Sequence, residues 1–272
     1  VPQEYFSHLD HQGLRVDIYQ RPELCLGSYE YLATADYCKN QKPTEPPAYI
    51  FMIEASYQSI QSGMLRLLVR EIPALLEKLP KMPGQSSSSV KVGFVTYNST
   101  LHFYNVKSNL AQPQMMIVSD VNDVFVPLLD GFLVDAKESK VVIESLMEQI
   151  SIMFAESRET EIVLAPVVQA GLDALKSAGI SGKLLLFHTS LPISEAPGKL
   201  KNREDRKVLA TDKEKTILCP QTNFYEKLSK SCVEAGVAVD LFLFSNAYID
   251  VATIGALTSF TGGQLYRYNF FK

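Results

Sequence analysis

Two short apolar runs, far apart along the chain, share one residue pattern. Tyr49–Ile53 and Val90–Tyr97 are rich in β-branched and aromatic residues and are bounded by polar or proline-rich segments, which is typical of buried strands. Between them, apolar residues recur at helical spacing from Ile60 to Leu79, with Pro73 inside the pattern. A strand, a helix kinked at Pro73 and a second strand predict two parallel strands joined by a right-handed crossover.

The rest of the chain alternates in the same way. Leu101–Val106 follows a turn and is predicted to be an antiparallel hairpin partner at the edge of the sheet, and Met115–Val118 could form a further short strand. Later apolar runs predict strands at Lys183–Phe187, Val237–Phe244 and Gln264–Tyr268, with helical patterns between them. This order predicts an α/β fold with a doubly wound, mostly parallel sheet, one antiparallel edge strand and helices on both faces.

The first 47 residues have a different character. Glycines and prolines interrupt them repeatedly, and their apolar content is too low for a core of their own. Ser28–Ala33 alternates well enough to predict one strand. We therefore expect an irregular arm over residues 1–47 and a large domain over residues 48–272, with Pro46 and Pro47 as an extended linker between them.

Composition and charge argue against several classes of function but do not identify one. The 272 residues carry a net charge of -4, which gives no general reason to expect nucleic acid as a partner. Four cysteines without a C-x-x-C pair argue against a zinc knuckle and fit a reducing compartment. No apolar run reaches the roughly 20 residues of a membrane span. Because the first residue is Val1 rather than methionine, we expect the sequence to be a fragment.

Ligands of doubly wound sheets bind at the carboxyl ends of the strands, so the loop after the first strand is the first candidate site. There, Glu54, Ser56 and Gln58 stand at two-residue spacing and resemble the metal-ion-dependent adhesion site of von Willebrand A domains, an Asp-x-Ser-x-Ser loop. Glutamate and glutamine depart from that pattern. We expect Glu54 and Ser56 to bond backbone groups, with an adhesion-type site for a divalent cation as the alternative.

Two other segments offer candidate chemistry. His188 follows a strand, beside Thr189 and Ser190, and is the best catalytic candidate, although no nucleophile and base set accompanies it. Residues 190–220 form a long loop with a basic excess, which could contact an acidic partner or lipid headgroups. The basic residues chosen as candidate contacts in this loop are Lys199, Lys201, Arg203, Arg206 and Lys207.

Several longer strings resemble one known family. They are Tyr49–Tyr57, Val92–Tyr97, Ser108–Met116, Val126–Val134, Glu195–Arg203 and Thr261–Tyr266. Together they resemble the trunk domain of the cargo-adaptor subunit of the COPII vesicle coat. Phe125–Val134 and the loop over residues 195–207 resemble the C/D-type branch of that family.

The resemblance implies a von Willebrand A-like fold, no catalysis and no cofactor in this fragment, since the zinc module that normally precedes the trunk is absent. It implies that residues 1–47 belong to a missing β-sandwich or zinc module. The implied partners are the GTPase-activating subunit of the inner coat, as a heterodimer, and the cytosolic sorting signals of membrane cargo, including SNARE proteins. The implied location is the cytosolic face of endoplasmic reticulum and vesicle membranes, to which the protein would attach peripherally. The resemblance implies no nucleic acid as a partner.

Overall fold

The computed structural model describes residues 6–31, 33–38, 41–43, 45–128, 130–204, 208 and 210–271. Residues 1–44 and 45–272 form two separate compact units. Among the described residues, no helix is both long enough and apolar enough to cross a membrane.

The smaller unit contains little regular structure. Its described residues include one turn of helix, α1 (Pro22–Cys25), short 3-10 turns at Ile18–Gln20 and Ala35–Tyr37, and an isolated antiparallel bridge between Leu9 and Arg15. The strand predicted at Ser28–Ala33 is wrong, because the described residues of that segment are irregular. A strand needs a neighbour to pair its backbone groups, and the described part of this unit contains no other strand.

The larger unit alternates strands and helices over its whole length. Its elements are β1 (Ala48–Glu54), α2 (Tyr57–Gln61), α3 (Met64–Leu76), β2 (Lys91–Tyr97), β3 (Leu101–Asn105), β4 (Gln114–Val118), β5 (Val134–Asp135), α4 (Lys140–Met153), α5 (Ala165–Ala178), β6 (Gly182–His188), α6 (Glu214–Leu218), α7 (Phe224–Glu234), β7 (Val237–Leu243), α8 (Val251–Ile254), α9 (Ala256–Thr261) and β8 (Leu265–Arg267).

One sheet, with eight strands among the described residues, organises this unit. The strand order is β4-β3-β2-β1-β6-β7-β8, and β5 pairs with β2 beside that path. Parallel pairs join β2 to β1, β1 to β6, β6 to β7 and β7 to β8, whereas the pairs β2–β3, β3–β4 and β2–β5 are antiparallel. The predicted α/β class and mostly parallel sheet are therefore confirmed.

Helices cover both faces of the sheet, and β1 shows how the sequence achieves this. Ile50 and Met52 belong to a core cluster shared with α5 and α7, whereas Phe51 and Ile53 belong to a second cluster shared with α3 and α4. Successive side chains of a strand point to opposite faces, so a strand covered on both sides is apolar at every position. Gly171 of α5 lets that helix approach the strands, since a Cβ there would overlap the side chains of Met52 and Leu184.

The structure differs from the sequence prediction at two further places. The helix predicted from Ile60 to Leu79 is two helices, because Gly63 adopts a left-handed φ of 76° between α2 and α3. α3 continues through Pro73 to Leu76. β3 does not lie at the edge of the sheet, because β4 pairs along its other side and takes that position.

Candidate functional site

Two neighbouring parallel strands bring a carboxylate and an imidazole together at their carboxyl ends. β1 ends at Glu54, β6 ends at His188, and the two strands pair in register up to Ile53 and Phe187. Thr189 follows His188 directly. Glu54 and His188 are fully buried, and Thr189 is nearly so. The site therefore lies where doubly wound sheets place their ligands, but its polar groups are enclosed.

Both oxygens of the Glu54 carboxylate are hydrogen-bonded. Oε1 accepts hydrogen bonds from Ser56 Oγ at 2.5 Å and from Thr189 Oγ1. Oε2 accepts the Thr189 backbone N–H at 2.5 Å and lies 2.9 Å from His188 Nδ1. An ionised carboxylate has about four acceptor positions, and four groups of the protein fill them here.

These contacts decide the charge of Glu54. Burial raises the pKa of this carboxyl, but the field of His188 and the hydrogen bonds from His188, Ser56 and Thr189 outweigh it, and the net shift is downward. Nearby, burial and the charge of Glu54 hold the pKa of Tyr97 well above its usual value, so its hydroxyl stays neutral. That hydroxyl lies 3.1 Å from His188 Nδ1 and 3.2 Å from the carbonyl oxygen of Phe187.

Ser56 caps the helix that follows the first strand. Its Oγ accepts the backbone N–H of Ser59 at 3.1 Å, while Ser59 Oγ accepts the backbone N–H of Ser56 at 3.0 Å. This reciprocal pair is a capping box in which serine replaces the usual glutamate. Ser56 is therefore bonded to Glu54 and to the start of α2, as the structural interpretation of the loop predicts. Gln58 lies in the first turn of α2 and lines an open cleft.

The Glu54 loop does not fit a divalent cation. A hard cation needs several oxygen ligands with free lone pairs, and those of Glu54 already face hydrogen-bond donors. Thr160 lines the cleft beside Gln58 and Thr189, but it adds only a hydroxyl. Across the described residues, no three His, Cys, Asp or Glu side chains are grouped as a metal would require. The adhesion-type alternative gains no support from this geometry.

His188 holds the carboxylate rather than facing a substrate. Its side chain is completely buried, and its Nδ1 contacts Glu54 and Tyr97. Its Nε2 is buried without a hydrogen-bond partner in the described part of the chain. Of the two hydroxyls that follow it in the chain, that of Thr189 bonds Glu54, and that of Ser190 contacts Thr189 Oγ1 at 3.0 Å rather than the imidazole. The arrangement therefore lacks the nucleophile and base contact that a hydrolase needs.

The cleft above this buried cluster is large and is lined by both polar and apolar residues. Its volume is about 1020 Å³, and it lies between the segments that follow β1, β6, β7 and β8. Gln58, Thr189, Asn246 and Asn269 line it, together with Arg267, which has no ion pair with any described residue. Apolar side chains line this space as well, and the Glu54 carboxylate beneath it is already bonded.

The basic candidates of the long loop occupy different environments. Lys199 pairs with Glu195, four residues before it in the loop, and Lys201 is exposed. Arg203 instead points into the protein: its guanidinium donates to three backbone carbonyls of residues 216–219 and lies 2.7 Å from the buried carboxylate of Asp250. Arg203 therefore fixes the loop and is poorly placed to meet a partner.

Arg206 and Lys207, the other two candidates, lie outside the described residues.

The comparisons with known proteins agree with this fold. The family model described as the Sec23/Sec24 trunk domain matches residues 44–272. The chain is 62% identical over 272 residues to human protein transport protein Sec24C and 58% identical to human Sec24D, covering all of this chain and 25% and 26% of those proteins. A crystal structure of the human COPII-coat protein Sec24c, 61% identical, superimposes with a TM-score of 0.93 over the whole of this chain and 36% of that one. The chain thus spans about a quarter of the length of these curated relatives.

Proposed function

The chain belongs to the Sec23/Sec24 trunk domain family, on the C/D branch of the COPII cargo adaptors, and we propose that it binds the GTPase-activating subunit of the inner coat as a heterodimer. Its Sec24 relatives are protein transport proteins of the COPII coat. We therefore expect the chain to contribute a binding surface, formed by exposed residues of the larger unit.

The observation that supports this proposal is an apolar strand at the edge of the sheet. β4 is the last strand on its side of the described sheet, with β3 as its neighbour. Met115, Met116 and Ile117 are exposed by 39%, 38% and 58% of their surface. Phe125, in the irregular segment that follows this strand, is 58% exposed. These residues form the apolar edge, as we call it below.

An edge of this kind is unusual unless something covers it. The outer side of an edge strand presents unpaired backbone N–H and C=O groups, and monomeric proteins normally protect it with charges, prolines or bulges. β4 has none of these between Gln114 and Val118. Methionine and aliphatic side chains are typical of interface cores, and a partner can pair with such an edge as an added strand.

Cargo and membrane contacts form the second part of the proposal. We infer that the adaptor collects membrane cargo, including SNARE proteins, through short cytosolic signals, and that it lies peripherally on the cytosolic face of the endoplasmic reticulum. Lys199 and Lys201 support a contact with acidic partners or lipid headgroups, because both lie in the long basic loop and Lys201 is exposed. We do not include Arg203 in this contact surface, because its side chain is hydrogen-bonded within the protein.

The test is a pull-down with the GTPase-activating subunit, using a variant of the apolar edge and a matched control. Ile117→Lys adds a charge to the exposed side of β4, whereas Ile152→Lys adds the same charge at an exposed position of α4. We expect the first variant to lose the partner and the second to retain it, with unchanged circular dichroism for both. Equal retention of the partner by both variants would remove the apolar edge from the interface.

A further inference from the structure

A cavity of about 380 Å³ lies away from the sheet end and the apolar edge, between two helices and a serine-rich loop. Pro73 and Leu76 of α3 and Ile143 of α4 provide its apolar floor. The loop over residues 86–88 forms one wall. The volume falls within the range of about 300–1000 Å³ that ligand pockets usually have. Neither the fold nor the proposed function uses this cavity.

Three lysines and two glutamates line the rim of the cavity. Lys140 is paired, since its Nζ lies 2.8 Å from Glu77 Oε1 and 3.9 Å from Glu144 Oε1. Lys137 has no ion pair with any described residue. The charge of Lys81 helps to lower the pKa of Glu77, but the two groups are too far apart to form an ion pair. The rim therefore holds two ammonium groups that are available to a further anion.

The three serines that line the same cavity differ in how their hydroxyls are used. Ser88 anchors the loop: its Oγ donates to the carbonyl oxygen of Pro80 at 2.6 Å and accepts the backbone N–H of Val90 at 3.1 Å. The hydroxyls of Ser86 and Ser87 have no hydrogen-bond partner among the described residues, and Ser86 is exposed. Two uncommitted hydroxyls are thus presented at a lysine-lined rim by a loop that is fixed at Ser88.

We propose that Ser86 and Ser87 form a phosphorylation site and that the rim lysines Lys81 and Lys137 hold the phosphate. A protein kinase transfers the γ-phosphoryl group of ATP: the serine Oγ forms a bond to phosphorus, the bond from phosphorus to the β,γ-bridging oxygen breaks, ADP leaves, and the kinase base takes the hydroxyl proton. The product carries about -1.5 to -2 charges and three strong acceptor oxygens. Lysine ammonium groups bind such an oxyanion by charge-assisted hydrogen bonds.

The consequence is a clamp across the cavity. A phosphate on this loop, held by Lys137 in the turn before α4 and by Lys81 after α3, would tie the loop to the ends of both helices and close the cavity over its apolar floor. It would also reverse the excess of positive charge on the rim. Phosphorylation therefore exchanges an open, weakly basic pocket for a closed, acidic surface on the helical face of the trunk.

The first test is whether the site is modified. The full-length protein is isolated from phosphatase-inhibited cells, and its phosphopeptides are mapped by mass spectrometry. We expect phosphate on Ser86 or Ser87. A fully covered loop peptide without phosphate would overturn the proposal.

The second test is whether the lysines hold the phosphate. Phosphoserine is installed at Ser87 in the full chain, and the second ionisation of the phosphate is followed by phosphorus NMR. Phosphoserine at the exposed Ser259 serves as the control. We expect the phosphate at Ser87 to ionise at a lower pH than that at Ser259, since nearby ammonium groups favour the dianion. We also expect Lys81→Ala with Lys137→Ala to abolish the difference. Equal titration of the two phosphates, or a difference that survives both lysine substitutions, would contradict the proposed docking.

Discussion

His188 Nδ1 lies 2.9 Å from Glu54 Oε2, and both side chains are completely buried at the carboxyl ends of adjacent parallel strands. In an adhesion site of the von Willebrand A type, a metal ion would lie beside the carboxylate that follows the first strand. Here an imidazole, two hydroxyls and a backbone N–H surround the carboxylate instead. The end of the sheet is therefore a self-contained polar cluster, which stabilises the scaffold that presents the outer binding surfaces.

Breaking this pair should be costly. Removing one partner of a buried pair leaves the other without compensation and typically costs about 3–5 kcal/mol. We expect Glu54→Gln and His188→Gln each to lower the free energy of unfolding by about that amount in urea titrations, and the double substitution to cost less than their sum. The matched control is the exposed pair of Glu226 and Lys230, 2.8 Å apart on α7, where single substitutions should cost about 0.5 kcal/mol or less. Similar small losses at both pairs would contradict the role assigned to the buried cluster.

Magnesium should not bind at the sheet end. Since the acceptor positions of Glu54 are filled by Ser56, Thr189 and His188, we expect calorimetric titration with millimolar Mg²⁺ to release no saturable heat. Saturable heat that disappears in Glu54→Gln would contradict this account and favour the adhesion-type alternative.

The stability of the trunk should fall in mild acid because of His102. Burial lowers the pKa of this imidazole from 6.5 to about 4, while its two ring nitrogens lie 3.1 Å from the hydroxyls of Thr96 and Thr100. The folded protein keeps the ring neutral, whereas the unfolded chain takes up a proton near pH 6.5. The stability contributed above that pH is therefore lost as the pH falls from about 6.5 towards 4, by a total of about 3 kcal/mol.

The measurement is the free energy of unfolding of the native chain and of His102→Gln between pH 7.5 and pH 4. The difference between the two proteins should shrink or reverse as the pH falls, since the variant has no imidazole to protonate. A constant difference over this range would show that His102 does not control the acid response.

Close packing of α5 on the sheet should make Gly171 intolerant of a methyl group. Alanine favours a helix over glycine by about 1 kcal/mol, but its Cβ would meet Leu184 Cδ2 at 2.8 Å and overlap Met52. We expect Gly171→Ala to lower the free energy of unfolding by about 1–3 kcal/mol, the usual cost of overpacking. Ser177→Ala, at an exposed position of the same helix, should change it by less than about 0.5 kcal/mol. A stabilised Gly171→Ala variant would contradict the close approach.

The sequence predicts the type and position of an element well where the pattern of apolar residues lies within that element. β1 and β6 are continuous apolar runs because both of their faces are covered, so their type and position could be predicted. β3 was misplaced at the edge because β4 lies beyond a polar turn and offers only a short run. Ser28–Ala33 alternates like a strand, but alternation cannot provide the neighbour that a strand requires.

The site itself could be predicted only in part. Glu54 and Ser56 were found from their position after a strand, and the capping role of Ser56 is a local property. The role of Thr189 was missed because it contacts a residue 135 positions earlier. The available signal was that β1 and β6 are both buried parallel strands, whose polar end residues must meet if the strands are neighbours. Arg203 was grouped with surface lysines because composition does not reveal its long-range partner Asp250.

The central claim is that this trunk unit carries a coat interface by itself. Sedimentation velocity of the chain mixed with equimolar GTPase-activating subunit tests it most directly, at micromolar concentrations of both proteins. We predict a single faster boundary with the mass of a one-to-one complex, which Ile117→Lys converts back into two separate species. Two independent boundaries for the folded native chain would contradict the claim and place the interface outside this part of the adaptor.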